Sequence, residues 1–411
     1  MTKTTFTFSH SALKHISALA FAMAASAASA QPGAATHDAY PALADLFNAF
    51  DVTHAQTFAE INKINENAYA KEARDMLEEH LTMMANMTMK EMMAQGMGHG
   101  DNMHMGMSMD SPYGDLEVEA RINLRNLMGE KYSDGDLEVE ARINLRNLMR
   151  EKYSDAQAAS AFDDSSALNR HTSQVFKHGR AFENALFALY ADSSITDKRA
   201  AVEAAIAAYK SDTRHSVALT PKDTTLLVNH PQATAFKTAF PRLSGFLWTQ
   251  QWLQLASLEA IIRDNVDDQF SGGIDVVMER FENKIGSAGG MSMYPAPTEL
   301  PMAAAIAPDL YSQSPEATII LDNLNVLETL VADIMAYPNL DNRAELIDAA
   351  VARFTDNESD NVLPEDYLLF ALRGGIYNQG GPAVGELSQS ERNRSREAMN
   401  MQHAMTMSNG Q

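Results

Sequence analysis

The 411-residue chain contains no cysteine. That absence alone excludes disulfides, thiolate metal sites, iron–sulfur clusters and cysteine nucleophiles. Bases are scarce as well: 32 Lys and Arg stand against 54 Asp and Glu, a formal charge of −22. Bulk electrostatics therefore disfavours nucleic acid and anionic membranes as partners and favours cations. Beyond residue 30 no run reaches the about 18 uninterrupted apolar residues of a transmembrane helix. Alternating β patterns are nearly missing, and the best of them, Thr224–Val228, is short. The His-Glu-x-x-His, Gly-x-Ser-x-Gly and Gly-x-x-x-x-Gly-Lys signatures do not occur. Nor does the Glu-x-x-His pair of a di-iron carboxylate bundle. These gaps favour a binding protein over an enzyme.

What is present is 45% hydrophobic residues and a chain long enough for two to three domains' worth of core. Residues 1–30 read as a secretory signal peptide. Lys3, Lys14 and His15 precede an apolar stretch from Ile16 to Ala25, and Ala28-Ser29-Ala30 supplies a small-x-small cleavage pattern before Gln31. With no cysteine at the cut, there is no lipid-anchor site. The expected product is periplasmic or secreted. Removing two lysines and no acids takes its net charge to −24.

The mature chain reads as helix almost throughout. Apolar residues recur at three- and four-residue steps over Tyr40–Phe50, from Thr53 towards Gln95, and over Leu168–Tyr190, Asp197–Lys210 and Gly245–Arg263. Ser314-Pro315-Glu316 opens another helix, with Pro in the first turn and an acid at the positive end of the dipole. It should end near Tyr337, before Pro338. Asn342–Phe354, Glu365–Leu372 and the polar Ser388–Met405 complete the set. The expected fold is all-α, a multi-helix bundle with a flexible Met-rich loop and a C-terminal tail. The divisions are N-terminal helices over 31–95, a Met/His-rich flexible loop over 96–113 and a tandem duplication over 114–155. A helical bundle core over 156–290 and a second helical layer over 291–390 follow, then a Met/His-rich tail over 391–411. The Gly- and Pro-rich stretch Gly286–Pro308 sets the boundary near 290.

The duplication is plain. GDLEVEARINLRNLMGEKYSD at Gly114–Asp134 is followed by the same 21 residues at Gly135–Asp155, except that Arg150 replaces Gly129. Three heptads nearly preserve helical phase. Each copy reads as one amphipathic helix, with Leu116, Ala120, Leu124 and Leu127 on one side and Glu and Arg on the other. Ser133-Asp134-Gly135-Asp136 reads as the break between them. Two units fall short of a stable array, so the repeat reads as a tolerated duplication rather than a double binding site.

The strongest chemical signal lies in methionine. Of the 27 residues from Met83 to Met109, 11 are Met: 83, 84, 87, 89, 92, 93, 97, 103, 105, 107 and 109. The other 354 residues of the mature chain hold 12, so composition drift does not explain the cluster. His99 and His104 lie inside it. A second cluster closes the chain with Met399, Met401, His403, Met405 and Met407. A thioether is neutral, polarisable and never protonated in water, so it selects soft ions such as Cu(I) or Ag(I) over Zn, Mg or Ca. Outside the cytoplasm thiolates pair or oxidise, whereas the first oxidation product of methionine is reversible.

The candidate metal ligands are Met83, Met84, Met87, Met89, Met92, Met93, Met97, His99, Met103, His104, Met105, Met107 and Met109, with Met399, Met401, His403, Met405 and Met407. Met76, His80, Met83 or Met84, and Met87 share a helix face, where core packing or a pliable partner-binding face is the competing reading. For Met97–Met109 no other apolar residues supply a core to fill. The alternatives there are an oxidation sponge or an adaptable partner surface, and an exported helical scaffold is the competing function.

These segments resemble the Met- and His-rich stretches of exported bacterial copper- and silver-resistance proteins, including periplasmic metal chaperones and the Met-rich tails of exported copper oxidases. The resemblance covers about 27 residues and the C-terminal cluster, not the helical body. It implies bound Cu(I) or silver and a periplasmic metal-transfer or efflux partner. It does not extend to the oxidases themselves, whose β-rich domains and Cys-containing copper site are missing here.

Other constellations carry weaker expectations. His171 and His178, seven apart, share a helix face and are candidate ligands for a haem or metal inside the bundle. Asp-x-x-His occurs at Asp51/His54, Asp101/His104 and Asp212/His215. The first and third read as caps or solvated turns, and Asp101 as a support for His104. Trp248 and Trp252 read as core. Arg373-Gly374-Gly375 reads as a turn.

Overall fold

The computed structural model describes residues 34–66, 134–164, 166–227, 229–266, 272–285, 300–337 and 339–378. Within them the helices in chain order are α1 (Ala34–Ala39), α2 (Pro41–Asn65), α3 (Asp134–Leu148), α4 (Asp155–Asp164), α5 (Arg170–Ala191), α6 (Lys198–Ser211) and α7 (Ala235–Ala239). There follow α8 (Pro241–Asp264), α9 (Gly273–Ile285), α10 (Ala303–Ile306), α11 (Pro308–Gln313), α12 (Pro315–Ala336), α13 (Arg343–Thr355) and α14 (Pro364–Asn378). The all-α expectation holds. Among the described residues the strand-like pairing is one isolated bridge, Lys222 to Asn361. The expected strand Thr224–Val228 is instead a 3-10 turn over Thr224–Leu227. Asp223 accepts the Thr225 amide at 2.8 Å, a local bond that competes with extended pairing.

Two helices form the centre. Every residue from Leu243 to Ile262 on α8 is buried, and α12 buries Ala317–Ala336 except Thr329. Helices without a solvent face must lie inside. Accordingly α2, α7, α11 and α13 pack on α12, while α3, α5 and α9 pack on α8. Trp248 and Trp252 are core, as expected, at 2% and 0% exposure. The Lys284 ammonium lies 4.7 Å from the Trp252 ring centroid. Buried residues before and after position 290 belong to one hydrophobic core.

Local signals set several boundaries. Asn169, Asp197 and Ser314 cap α5, α6 and α12 by accepting from Thr172, Ala200 and Ala317. Helix α12 stops at Ala336, two residues before Pro338. Three expectations are corrected. Tyr40–Phe50 and the helix from Thr53 are one continuous α2, because Asp51 turns to α5 and does not compete for its own backbone. Gly374 and Gly375 lie inside α14, not in a turn. The end of the presumed Gly286–Pro308 loop carries α10.

Four other helix starts are capped from a distance. The residues preceding α7, α8, α10 and α11 make no side-chain cap bond. Buried acids from other helices replace them. Glu138 accepts the Arg242 and Leu243 amides of α8, and Asp333 accepts the Thr234 and Phe236 amides around the start of α7. Asp322 accepts from Ala303 at 2.8 Å, and Glu259 from Asp309 at 3.1 Å. Each satisfies amides that a helix cannot satisfy itself.

The second repeat copy is helical as expected, but Asp134, Gly135 and Asp136 lie within its first turn. Its supposed outer face is also partly inner. Glu138 and Arg142 are buried beside Ala141 and Leu145, because Glu138 caps α8 and Arg142 donates to the Ile285 carbonyl at 2.9 Å. The first copy, apart from Asp134, lies outside the described residues. Position 150, where the copies differ, is exposed and pairs with Glu282 at 3.1 Å. Deleting 114–134 or 135–155 therefore yields chains that differ only by Arg or Gly at this position. Both are expected to fold, with urea-unfolding free energies within about 1 kcal/mol of each other, the scale of an exposed ion pair. A gap of several kcal/mol would show that the copies are not interchangeable against α8.

Candidate functional site

The sequence-derived metal ligands Met83, Met84, Met87, Met89, Met92, Met93, Met97, His99, Met103, His104, Met105, Met107 and Met109 lie outside the described residues. So do Met399, Met401, His403, Met405 and Met407, along with Asp101 and the signal segment. Of the 25 methionines, Met149, Met278, Met302 and Met335 fall within them. Met149, Met302 and Met335 are buried, and Met278 packs against the core.

The described helices contain a charged layer that the sequence reading missed. On α2, Phe47, Asp51, His54 and Phe58 follow at steps of four, three and four; on α5, Phe176, Arg180, Glu183 and Phe187 do the same. The two stripes meet antiparallel. Phe47 lies 4.2 Å from Phe187 between ring centroids, and Phe58 stacks on Phe176 at 5.7 Å. Between these aromatic ends Arg180 pairs with Asp51 and Glu183, and its guanidinium carbon sits 4.1 Å over Phe50. Asn184 donates to Asp51 at 3.2 Å. The reading of Asp51 and His54 as a cap or solvated turn is thus overturned, since both are buried in the middle of α2.

His54 Nε2 lies 3.1 Å from Glu328 Oε2 on α12, at ion-pair distance but off the line of a hydrogen bond. Gln251 donates to the same oxygen at 3.1 Å, and Gln250 to Thr53 at 2.7 Å. Arg180 Nη2 and Glu183 Oε1 are buried without a hydrogen-bond partner. Burial on this scale penalises any charge left alone by several kcal/mol, so the layer is stable only as a set.

Beside this layer a half-open cavity of about 250 Å³ enters between α4, α5 and the loop after α6. Phe162, Lys177, His178, Arg180, Asp212 and His215 line it. Lys177 is paired with Asp163. His178 does not face the bundle centre. Its ring stacks on Tyr209 at 4.5 Å, and Nε2 meets the Tyr209 carbonyl at 2.9 Å. His171 stands instead beside His215, with ring centroids 5.6 Å apart. Asp212 ends α6, as its turn-like reading expected, and Oδ2 holds His215 Nδ1 at 2.8 Å. That bond holds the Asp212 carboxyl below its ordinary range. Burial, then the neighbouring His215 and Arg214, lowers the His171 pKa. Burial raises the Tyr209 phenol.

Among the described residues no group of three or more His, Asp or Glu is placed to hold a metal ion. None of their helices is long and apolar enough to cross a membrane. Compared with family models, curated proteins and solved structures, the chain matches none. The aromatic-bracketed charge pairs were findable from sequence, as acids and a base standing on an otherwise aromatic stripe. The contact between His171 and His215 was not, because it depends on how the loop after α6 returns to α5.

Proposed function

We propose that the chain is an exported protein that binds Cu(I) or Ag(I) through its Met/His segments, buffering the ion or passing it to a periplasmic partner. The observation that carries this is where methionine is used. The described helical body builds its core from Leu, Ile, Phe, Val and Ala with three buried methionines, while 11 crowd into Met83–Met109. A body that packs with so few methionines does not account for such a cluster, and ligand softness does. The negative net charge adds attraction for cations.

The test is an anaerobic Cu(I) titration of the mature chain against a variant with the 11 methionines changed to leucine, which keeps apolar bulk and removes sulfur. The variant is expected to lose most of the bound equivalents. The wild-type segment should retain them at pH 5.5, because thioethers need no deprotonation. Equal stoichiometry in the two chains would end the assignment.

A further inference from the structure

We propose that His171 and His215 form a two-coordinate site for a soft monovalent ion on the helical body itself, with Asp212 as the positioning residue. The ion's identity rests on the reading above, but the site does not. An imidazole nitrogen lies about 1.1 Å from its ring centroid and binds metals at about 2.0 Å. Two rings sharing one ion in line therefore stand about 6 Å apart, against 5.6 Å here.

The hydrogen bond from His215 Nδ1 to Asp212 fixes the tautomer, leaving Nε2 as a lone-pair donor. His171 Nδ1 is buried and has no hydrogen-bond partner. The His215 side chain is 22% exposed.

Ligand count sets the class of ion. Structural zinc takes four protein ligands and catalytic zinc three, and no such group gathers among the described residues. Two imidazole nitrogens suit linear, d10, monovalent Cu(I) or Ag(I).

The decisive experiment separates this site from the thioethers. Cu(I) is titrated anaerobically at pH 7.5 against a competing chelator into the mature chain whose Met83–Met109 and Met399–Met407 methionines are all leucine. One equivalent is expected to remain. It should disappear in His171→Ala and in His215→Gln, with helix content unchanged by circular dichroism, and X-ray absorption should show nitrogen and no sulfur. Asp212→Asn keeps both imidazoles and is expected to weaken binding 10–100-fold, the cost of losing an outer-shell partner.

If no equivalent remains, or if one remains in both histidine variants, the site is refuted. If the methionine changes cost nothing while the histidine variants each lose one equivalent, the site stands and the methionine assignment fails.

Discussion

Replacing Arg180 by methionine is expected to destabilise the protein by about 3–5 kcal/mol, the cost of breaking a buried ion set from one side. Methionine fills the volume of the side chain, so the effect does not come from a cavity. It comes from Asp51 and Glu183, at 2% and 1% exposure, which lose their cationic partner while Asn184 can answer only one of them. Lost stacking on Phe50 adds a smaller amount, about 0.5–2 kcal/mol. The triple variant Arg180→Met, Asp51→Leu, Glu183→Leu removes every orphaned charge and is expected to recover most of the loss, since well-packed apolar replacements of buried ion sets are often neutral. Urea unfolding of the three proteins measures this. A single variant within 1 kcal/mol of wild type would mean that water already reaches the layer between the aromatic ends.

Acidification from pH 8 to pH 5 should make the protein more stable. Burial raises the pKa of three carboxyls to about 7: Glu138, Glu259 and Asp322. Each binds its proton more tightly folded than unfolded. Between about pH 4.5 and pH 7 the native state then holds more protons, and stability falls as pH rises through that window. A tenfold change in proton affinity is worth about 1.4 kcal/mol, so three such groups give a gain of several kcal/mol. Relief of the overall negative charge acts in the same direction, and substitution separates the two causes. Glu138→Gln and Asp322→Asn keep an acceptor oxygen for the amides of Leu243 and Ala303 but cannot ionise. Each is expected to flatten the pH dependence by its own share without unfolding the chain. A slope unchanged in both variants would leave Glu259 and net charge as the source of the effect.

The helical class and most long helices were legible because periodicity and local caps are local facts. Asn169, Asp197 and Ser314 announce α5, α6 and α12, and Pro338 closes the last of these. The starts of α8 and α11 were less clear, since their caps arrive from Glu138 and Glu259, roughly 100 and 50 positions away. Asp51 misled for a related reason. In isolation it is a residue that breaks helices or ends them, and only Arg180 on another helix tells the chain to continue through it. The methionine clusters were the reverse case: their chemistry is legible in composition, while their placement is not.

The borrowed caps also say something about the order of assembly. Helices α7, α10 and α11 are five, four and six residues long, far below the about 12 at which an isolated helix begins to persist in water. Their opening amides are answered only where α8 and α12 already present Glu259, Asp322 and Asp333. On that ground these short segments are expected to form on a centre already built from α8 and α12 rather than to seed it.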